Sequence, residues 1–197
     1  MHQSHFFAML SRMKYINRWG LMRNTYPENI SEHSLQVAMI AHALAVLRNR
    51  RFGGSVSPER VALLSLFHDT PEILTGDLPT PVKYRNTAIR SAYQQVELDS
   101  AQQLLQLLPD DLQGDYRSLF LPEEEEKELW VLVKAADKLS ALIKCIEEQK
   151  AGNQEFRTAA VSTRQSIVDM HIPEADVFLE QFLPSFSLTL DELNCDA

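Results

Sequence analysis

Glycine is scarce in this chain, with 6 residues in 197, and no alternating β-branched run occurs. Strands joined by tight hairpins therefore have no sequence signal. Cysteine is scarcer still. Cys145 and Cys195 form neither a CxxC pair nor a disulfide framework, which points to a reducing, cytoplasmic setting. No run of about 18 apolar residues is found, so no membrane span is expected. Residues 1–13 carry two histidines and no long apolar stretch ahead of Arg12, unlike a signal peptide. Positive charge is in deficit: Lys and Arg number 19 against 27 Asp and Glu, a net charge of -8. Such a surface repels nucleic-acid polymers and acidic membranes, yet one local cationic pocket suffices for a small phosphate.

What is present is the mixture of a globular chain. Hydrophobic residues make up 45% and charged residues 23%, which excludes disorder, and the length fits one domain over residues 1–197. Helical periodicity dominates. It predicts a first helix over roughly His5 to Ile16 and a second from near Ser31 to Asn49, with apolar Leu35, Val37, Ala38, Ile40, Ala41, Leu44 and Ala45. Phe52-Gly53-Gly54 makes a turn, and Ser57-Pro58 is a cap followed by a first-turn proline. Val61, Leu64, Ser65 and His68 then share one face. A loop is expected from Thr75 to Pro81, followed by helices over Thr87–Leu108 and Asp110–Phe120. Pro122 is expected to open a long helix to Lys150, buried along Leu129, Leu132, Val133, Ala136, Leu139, Ser140 and Ile143. The Glu123–Glu126 run reads as its solvated start, where the helix dipole favours negative charge. A last helix spans Val161 to Phe182, with Pro173 as a break or kink.

Chemistry concentrates in a few residues. His68-Asp69 is a weak signal as a dipeptide, and His68 alone reads as a core histidine. Asp137 adjoins the buried stripe of the longest helix, where a carboxylate is costly unless paired with a cation. Its ordinary reading is a salt bridge to Lys134 or Lys138, though these flank it on other faces. His33 falls in the first turn of the second helix and alone reads as a surface or capping residue. Together, His33, His68, Asp69 and Asp137 offer two imidazoles and two carboxylates from three helices. That mixed N/O set suits a divalent transition ion with positions left open. His2, His5, His42 and His171 fall outside the pattern, and His42 is expected to pack within its helix.

The order H…HD…D resembles the HD superfamily of metal-dependent phosphohydrolases. Further segments resemble the YfbR-type 5'-deoxynucleotidases: Gln3-Ser4-His5-Phe6-Phe7-Ala8, Asn17-Arg18-Trp19, Ser31-Glu32-His33-Ser34, His68-Asp69-x-x-Glu72, Thr75 through Tyr84, Lys134 through Asp137, and Phe182-Leu183-Pro184-Ser185-Phe186. The resemblance covers nearly the whole chain. It implies an all-α HD-domain helical bundle that removes the 5'-phosphate of deoxyribonucleoside 5'-monophosphates, as a cytoplasmic homodimer with a divalent cation of the Co, Mn, Zn or Cu type. No histidine lies between His68 and His171, whereas two-metal members of the superfamily need more, so one ion is expected.

On this reading His33, His68, Asp69 and Asp137 hold the ion. Glu72, one helical turn beyond His68, and Asp77 share the proton transfers. Arg18 clamps the phosphate, and Trp19 leaves no room for a 2'-hydroxyl. Asp77, Leu78, Pro79 and Thr80 form a substrate loop, with His33, Asp69 and Asp137 also against the substrate. The ordinary readings are a surface carboxylate for Glu72, a surface arginine for Arg18, a core aromatic for Trp19 and an Asx turn for Asp77. One departure stands out: Thr70-Pro71 replaces two small residues, and Pro71 is expected to bend the helix after the HD pair and shift Glu72. Two rivals remain. One keeps the fold but takes another nucleotide; the other is a nucleotide sensor with a structural metal.

Overall fold

A computed structural model describes residues 3–83 and 85–194; His2, Tyr84 and Cys195 lie outside the described residues. The architecture is all-α. In chain order the helices are α1 (Phe6–Leu10), α2 (Ile30–Arg51), α3 (Pro58–Phe67), α4 (Glu72–Thr75), α5 (Thr80–Lys83), α6 (Thr87–Leu105), α7 (Asp110–Phe120), α8 (Lys127–Lys150), α9 (Arg157–Val168), α10 (Pro173–Gln181) and α11 (Leu190–Asn194). Among the described residues no strand forms, and one isolated antiparallel bridge joins Asn17 and Asn29.

Helices α2, α3 and α8 make the centre, and each packs on the other two. Their inward faces carry Ile30, Val37, Ala41, Leu44, Val61, Leu64, Leu132, Ala136, Leu139 and Ile143, all essentially solvent-free. Among the described residues, α2 is the one helix long and apolar enough in mean composition to cross a membrane, although it holds no unbroken apolar run of that length. Just over half of its apolar window is buried against the rest of the chain, so that apolarity serves the core.

Local chemistry accounts for most boundaries. Asn29 caps α2 by accepting from the N–H groups of Ser31 and Glu32, and Ser57 Oγ caps α3 by accepting from Arg60 N–H. Pro58 sits where a missing donor costs nothing. Pro173 starts α10, so the expected long C-terminal helix is two helices, α9 and α10. Other boundaries differ. After Leu10 the first helix tightens into a 3₁₀ turn, Ser11–Tyr15. The long helix begins at Lys127 rather than Pro122, because Glu124–Glu126 form a 3₁₀ turn. Glu126 is not simply solvated there, since Arg60 donates to it at 2.6 and 2.9 Å. Thr80 and Pro81 belong to α5 rather than to a loop. Leu35 and His42 lie on the exposed face of α2, so His42 does not pack within its helix.

Two packing units aim the functional residues. Phe6 of α1 meets Tyr116 and Phe120 of α7 edge-on, and Phe67 at the end of α3 joins the same cluster. The residue after Phe67 is His68, so this cluster fixes where the HD pair begins. At the other side, buried Glu148 of α8 accepts from Thr25 N–H at 2.8 Å, Tyr26 N–H at 3.1 Å and Asn153 Nδ2 at 2.8 Å, and from Lys144. Burial alone would raise its pKa, but these four donors hold the carboxyl below the ordinary range. They also pin the segment that follows Trp19.

Candidate metal centre and active site

Helix α2 supplies His33, the end of α3 supplies His68 and Asp69, and α8 supplies Asp137. Ligand atoms of His33, His68 and Asp69 lie within 4.8 Å of one another. Asp137 Oδ1 is 3.0 Å from His33 Nε2, and Asp69 Oδ2 is 3.5 Å from the same nitrogen. Lys134 and Lys138, the ordinary partners considered for Asp137, play no part. Lys138 donates instead to Ser166.

The imidazole tautomers suit metal ligation. His68 Nδ1–H donates to Ser65 O at 2.7 Å, which leaves the lone pair on Nε2. That Nε2 is buried without a hydrogen-bond partner, although Asp69 Oδ1 is 3.2 Å away. Ser140 Oγ gives its proton to Gln36 Oε1 at 2.6 Å, so it accepts from His33 Nδ1–H at 3.1 Å. His33 Nε2 therefore also turns a lone pair toward carboxylate oxygens. Lone pairs facing carboxylates at 3.0–3.5 Å repel unless positive charge lies among them, either a ring proton or a metal ion in its place. The donor set thus fits a divalent ion, for which Ser65 O and Ser140 would be the outer supports.

Ser140 was legible only as part of a buried stripe. Its second role gives a test. Ser140→Ala should weaken metal binding about 10–100-fold, because His33 loses the partner that orients its ring. Titration of Co²⁺ or Zn²⁺ into stripped protein reads this, and unchanged affinity would remove the relay.

Charge is concentrated around this cluster. Arg18, 12% exposed, approaches Asp69 Oδ2 at 3.2 Å and Asp137 Oδ1 at 4.0 Å, and pairs with Glu28 at 3.0 Å. Burial opposes its charge, but Asp69, Asp137, Glu28 and Asp77 outweigh that and raise its pKa. Burial likewise pushes Asp69 and Asp137 upward. The imidazoles and Arg18 prevail, leaving Asp69 well below the carboxylate range and Asp137 at about 2. For His68, burial is overcome by Asp69 and Asp137, and its pKa rises.

Glu72 behaves in the opposite way. Burial, reinforced by Asp69 and Asp77, lifts its carboxyl to about 10. Its Oε2 is buried with no partner. Helix α3 stops at Phe67, tight i→i+3 turns carry the chain through Thr70 and Pro71, and α4 starts at Glu72. The bend expected at Pro71 is therefore a break, and Glu72 is not one turn along the same helix as His68.

Gly76, in a left-handed conformation at φ 71°, reverses the chain after α4. Asp77 then accepts from the backbone N–H of Trp19 at 3.2 Å, and burial, partly offset by Arg18, raises its pKa. This is a tertiary contact, not the Asx turn considered for Asp77. Trp19 is half-buried, its ring 5.2 Å from that of Phe156. Leu78 and Pro79 are half-buried on the chain between α4 and α5, and Thr80, the first residue of α5, is exposed. Glu28 and Gln36 had no sequence signal; Glu28 acts through Arg18 and Trp19 across a loop, and Gln36 through Ser140 of α8.

A helical bundle with an H…HD…D donor set and an adjacent arginine defines the HD phosphohydrolase class. The fold matches an HD-domain phosphohydrolase from Listeria innocua with a TM-score of 0.78 at 25% identity, covering 92% of this chain and 88% of that one. It also matches the cyanophage S-2L HD phosphohydrolase, described as bound to dA and one catalytic Zn²⁺ ion, with a TM-score of 0.58 at 19% identity over 90% and 96% of the chains. A family model for YfbR-like 5'-deoxynucleotidases matches residues 5–186, and the chain belongs to that family. A 5'-deoxynucleotidase of Photorhabdus laumondii is 51% identical over 98% of both chains.

Proposed function

We infer that this chain is a metal-dependent 5'-deoxynucleotidase, which hydrolyses deoxyribonucleoside 5'-monophosphates to deoxyribonucleoside and phosphate. The observation that carries this reading is Arg18, whose guanidinium reaches within 3.2 Å of Asp69 at the donor set, in a chain half identical along its length to a 5'-deoxynucleotidase.

His33, His68, Asp69 and Asp137 are the residues that would hold one divalent ion of the Co, Mn, Zn or Cu type. When bound, such an ion supplies Lewis acidity for water and for the phosphate. Arg18 pairs with phosphate oxygens and neutralises charge as the phosphoryl group transfers. Glu72, whose carboxyl is pushed toward its protonated form by burial and by Asp69 and Asp77, is suited to give a proton to the departing 5'-oxygen. Asp77 faces the sugar while its other function is to hold the Trp19 backbone. The Trp19 ring closes the space a 2'-hydroxyl would need, and Leu78, Pro79 and Thr80 border the nucleoside. A homodimer in the cytoplasm belongs to the same reading, on the strength of the family.

Phosphate release by metal-stripped protein, supplied in turn with Co²⁺, Mn²⁺ or Mg²⁺, tests it with dAMP and AMP side by side. Release should require metal and favour dAMP by about tenfold or more. Equal rates would remove the sugar selection. No release with any of the three ions would overturn the reading.

A further inference from the structure

Arg18 and Trp19 are adjacent in sequence, and in an extended chain their side chains would point to opposite sides. Here they converge. Trp19 has φ 59°, the left-handed region that an aromatic residue enters only at a cost of about 1–3 kcal/mol. That conformation turns the indole back toward the side of Arg18. Both side chains then meet one atom: Glu28 Oε2 accepts from Arg18 Nε at 3.0 Å and from Trp19 Nε1 at 3.0 Å. The Glu28 carbonyl also accepts from Arg18 N–H at 2.8 Å.

We propose that Glu28 is a positioning and specificity-determining residue, which ties the phosphate clamp Arg18 to the sugar-facing Trp19 through one carboxylate oxygen. The proposal rests on the 5'-deoxynucleotidase reading of the site. Arg18 has three carboxylates close by, and two of them, Asp69 and Asp137, belong to the metal donor set. Glu28 is the one that remains with Arg18 whatever the donor set holds. The pair is 12% and 13% exposed, so solvent screens it little and the geometry is stiff. The opposite edge of Trp19 is held by Phe156, and its backbone N–H by Asp77. The residue is thus held at three points, the indole by Glu28 and Phe156 and the backbone by Asp77, and of the three Glu28 also binds the phosphate-binding residue. A shift in the clamp therefore moves the sugar wall, and the reverse. A site that reads phosphate and sugar on one tether rejects a nucleotide that fits only one of them.

The test is a double-mutant cycle of Glu28→Gln and Trp19→Phe, measured as kcat and KM on dAMP and AMP with metal. Glutamine keeps the volume and, through the Glu28 backbone, the bond to Arg18 N–H. Glu28→Gln should raise KM for dAMP about tenfold, change kcat less, and lower the dAMP-to-AMP ratio about tenfold. Phenylalanine has no N–H to give, so in the Trp19→Phe background Glu28→Gln should still raise KM but leave the ratio unchanged. An equal loss on both substrates with an unchanged ratio would mean a merely structural role and overturn the proposal. A second readout needs no turnover. With Trp130→Phe to isolate Trp19, Glu28→Gln should shift indole emission to longer wavelength in metal-stripped protein; unchanged emission would overturn the tie. Failure of the parent protein to release phosphate from any nucleotide would strike the functional reading, and emission would then decide the role of Glu28 by itself.

Discussion

Asp137→Ala should lose bound metal and lower phosphate release from dAMP by about a thousandfold or more. The reason is geometric. Asp137 is the one member of the donor set contributed by α8, and its Oδ1 lies 3.0 Å from the His33 Nε2 lone pair. Without it, three donors remain on the α2 and α3 side and nothing closes the set from across the core. The fold should survive, because the side chain is 40% exposed at the rim while Ala136 and Leu139 beside it fill the interior. Arg18 keeps Asp69 and Glu28 as partners, so no charge is left buried and alone. Metal content after gel filtration, a melting curve and a rate assay on one preparation decide the matter. A folded variant that keeps a tenth of the parent rate would sink the assignment of Asp137.

Glu72→Gln should lower turnover by about 10²–10⁴-fold, the range of a lost general acid or base. The same substitution should make the metal-stripped protein more stable by about 1–2 kcal/mol at neutral pH, the trade-off expected at a strained site. Burial, Asp69 and Asp77 hold the folded carboxyl at about 10 against an ordinary value of 4.5. Between those values the folded protein keeps a proton that the unfolded chain has released. The unfolded state then binds fewer protons, so stability falls as pH rises through that window. Glutamine carries no such proton. The gap in melting temperature between variant and parent should therefore widen from pH 5 to pH 9. A constant gap would mean that Glu72 is charged in the fold, and would take from it the role of proton donor.

Much of the helical layout was legible because its causes are local. Ser57-Pro58 caps and starts α3 through atoms two or three residues apart. The inward stripe of α8 repeats at helical spacing, so it shows in the sequence. Boundaries failed where a distant partner intervened. The acidic run was read as the solvated start of a helix; Arg60 of α3 takes Glu126, and the α-helix begins only at Lys127. Pro71 carried a visible warning, but whether it kinks the helix or ends it depends on what Glu72 is packed among.

The sequence by itself determined the class of fold and the chemical types in the site. Helical periodicity and capping act over a few residues, and an H…HD…D order with Arg18, Trp19, Glu72 and Asp77 is a pattern of identities. Only the tertiary structure decided how those residues are held. Burial that lifts Glu72 while Asp69 falls, the Gln36–Ser140–His33 relay, and one Glu28 oxygen shared by Arg18 and Trp19 across a loop all depend on the folded path of the backbone. Such contacts leave no periodic trace, because a hydrogen bond between distant residues depends on where the backbone carries them.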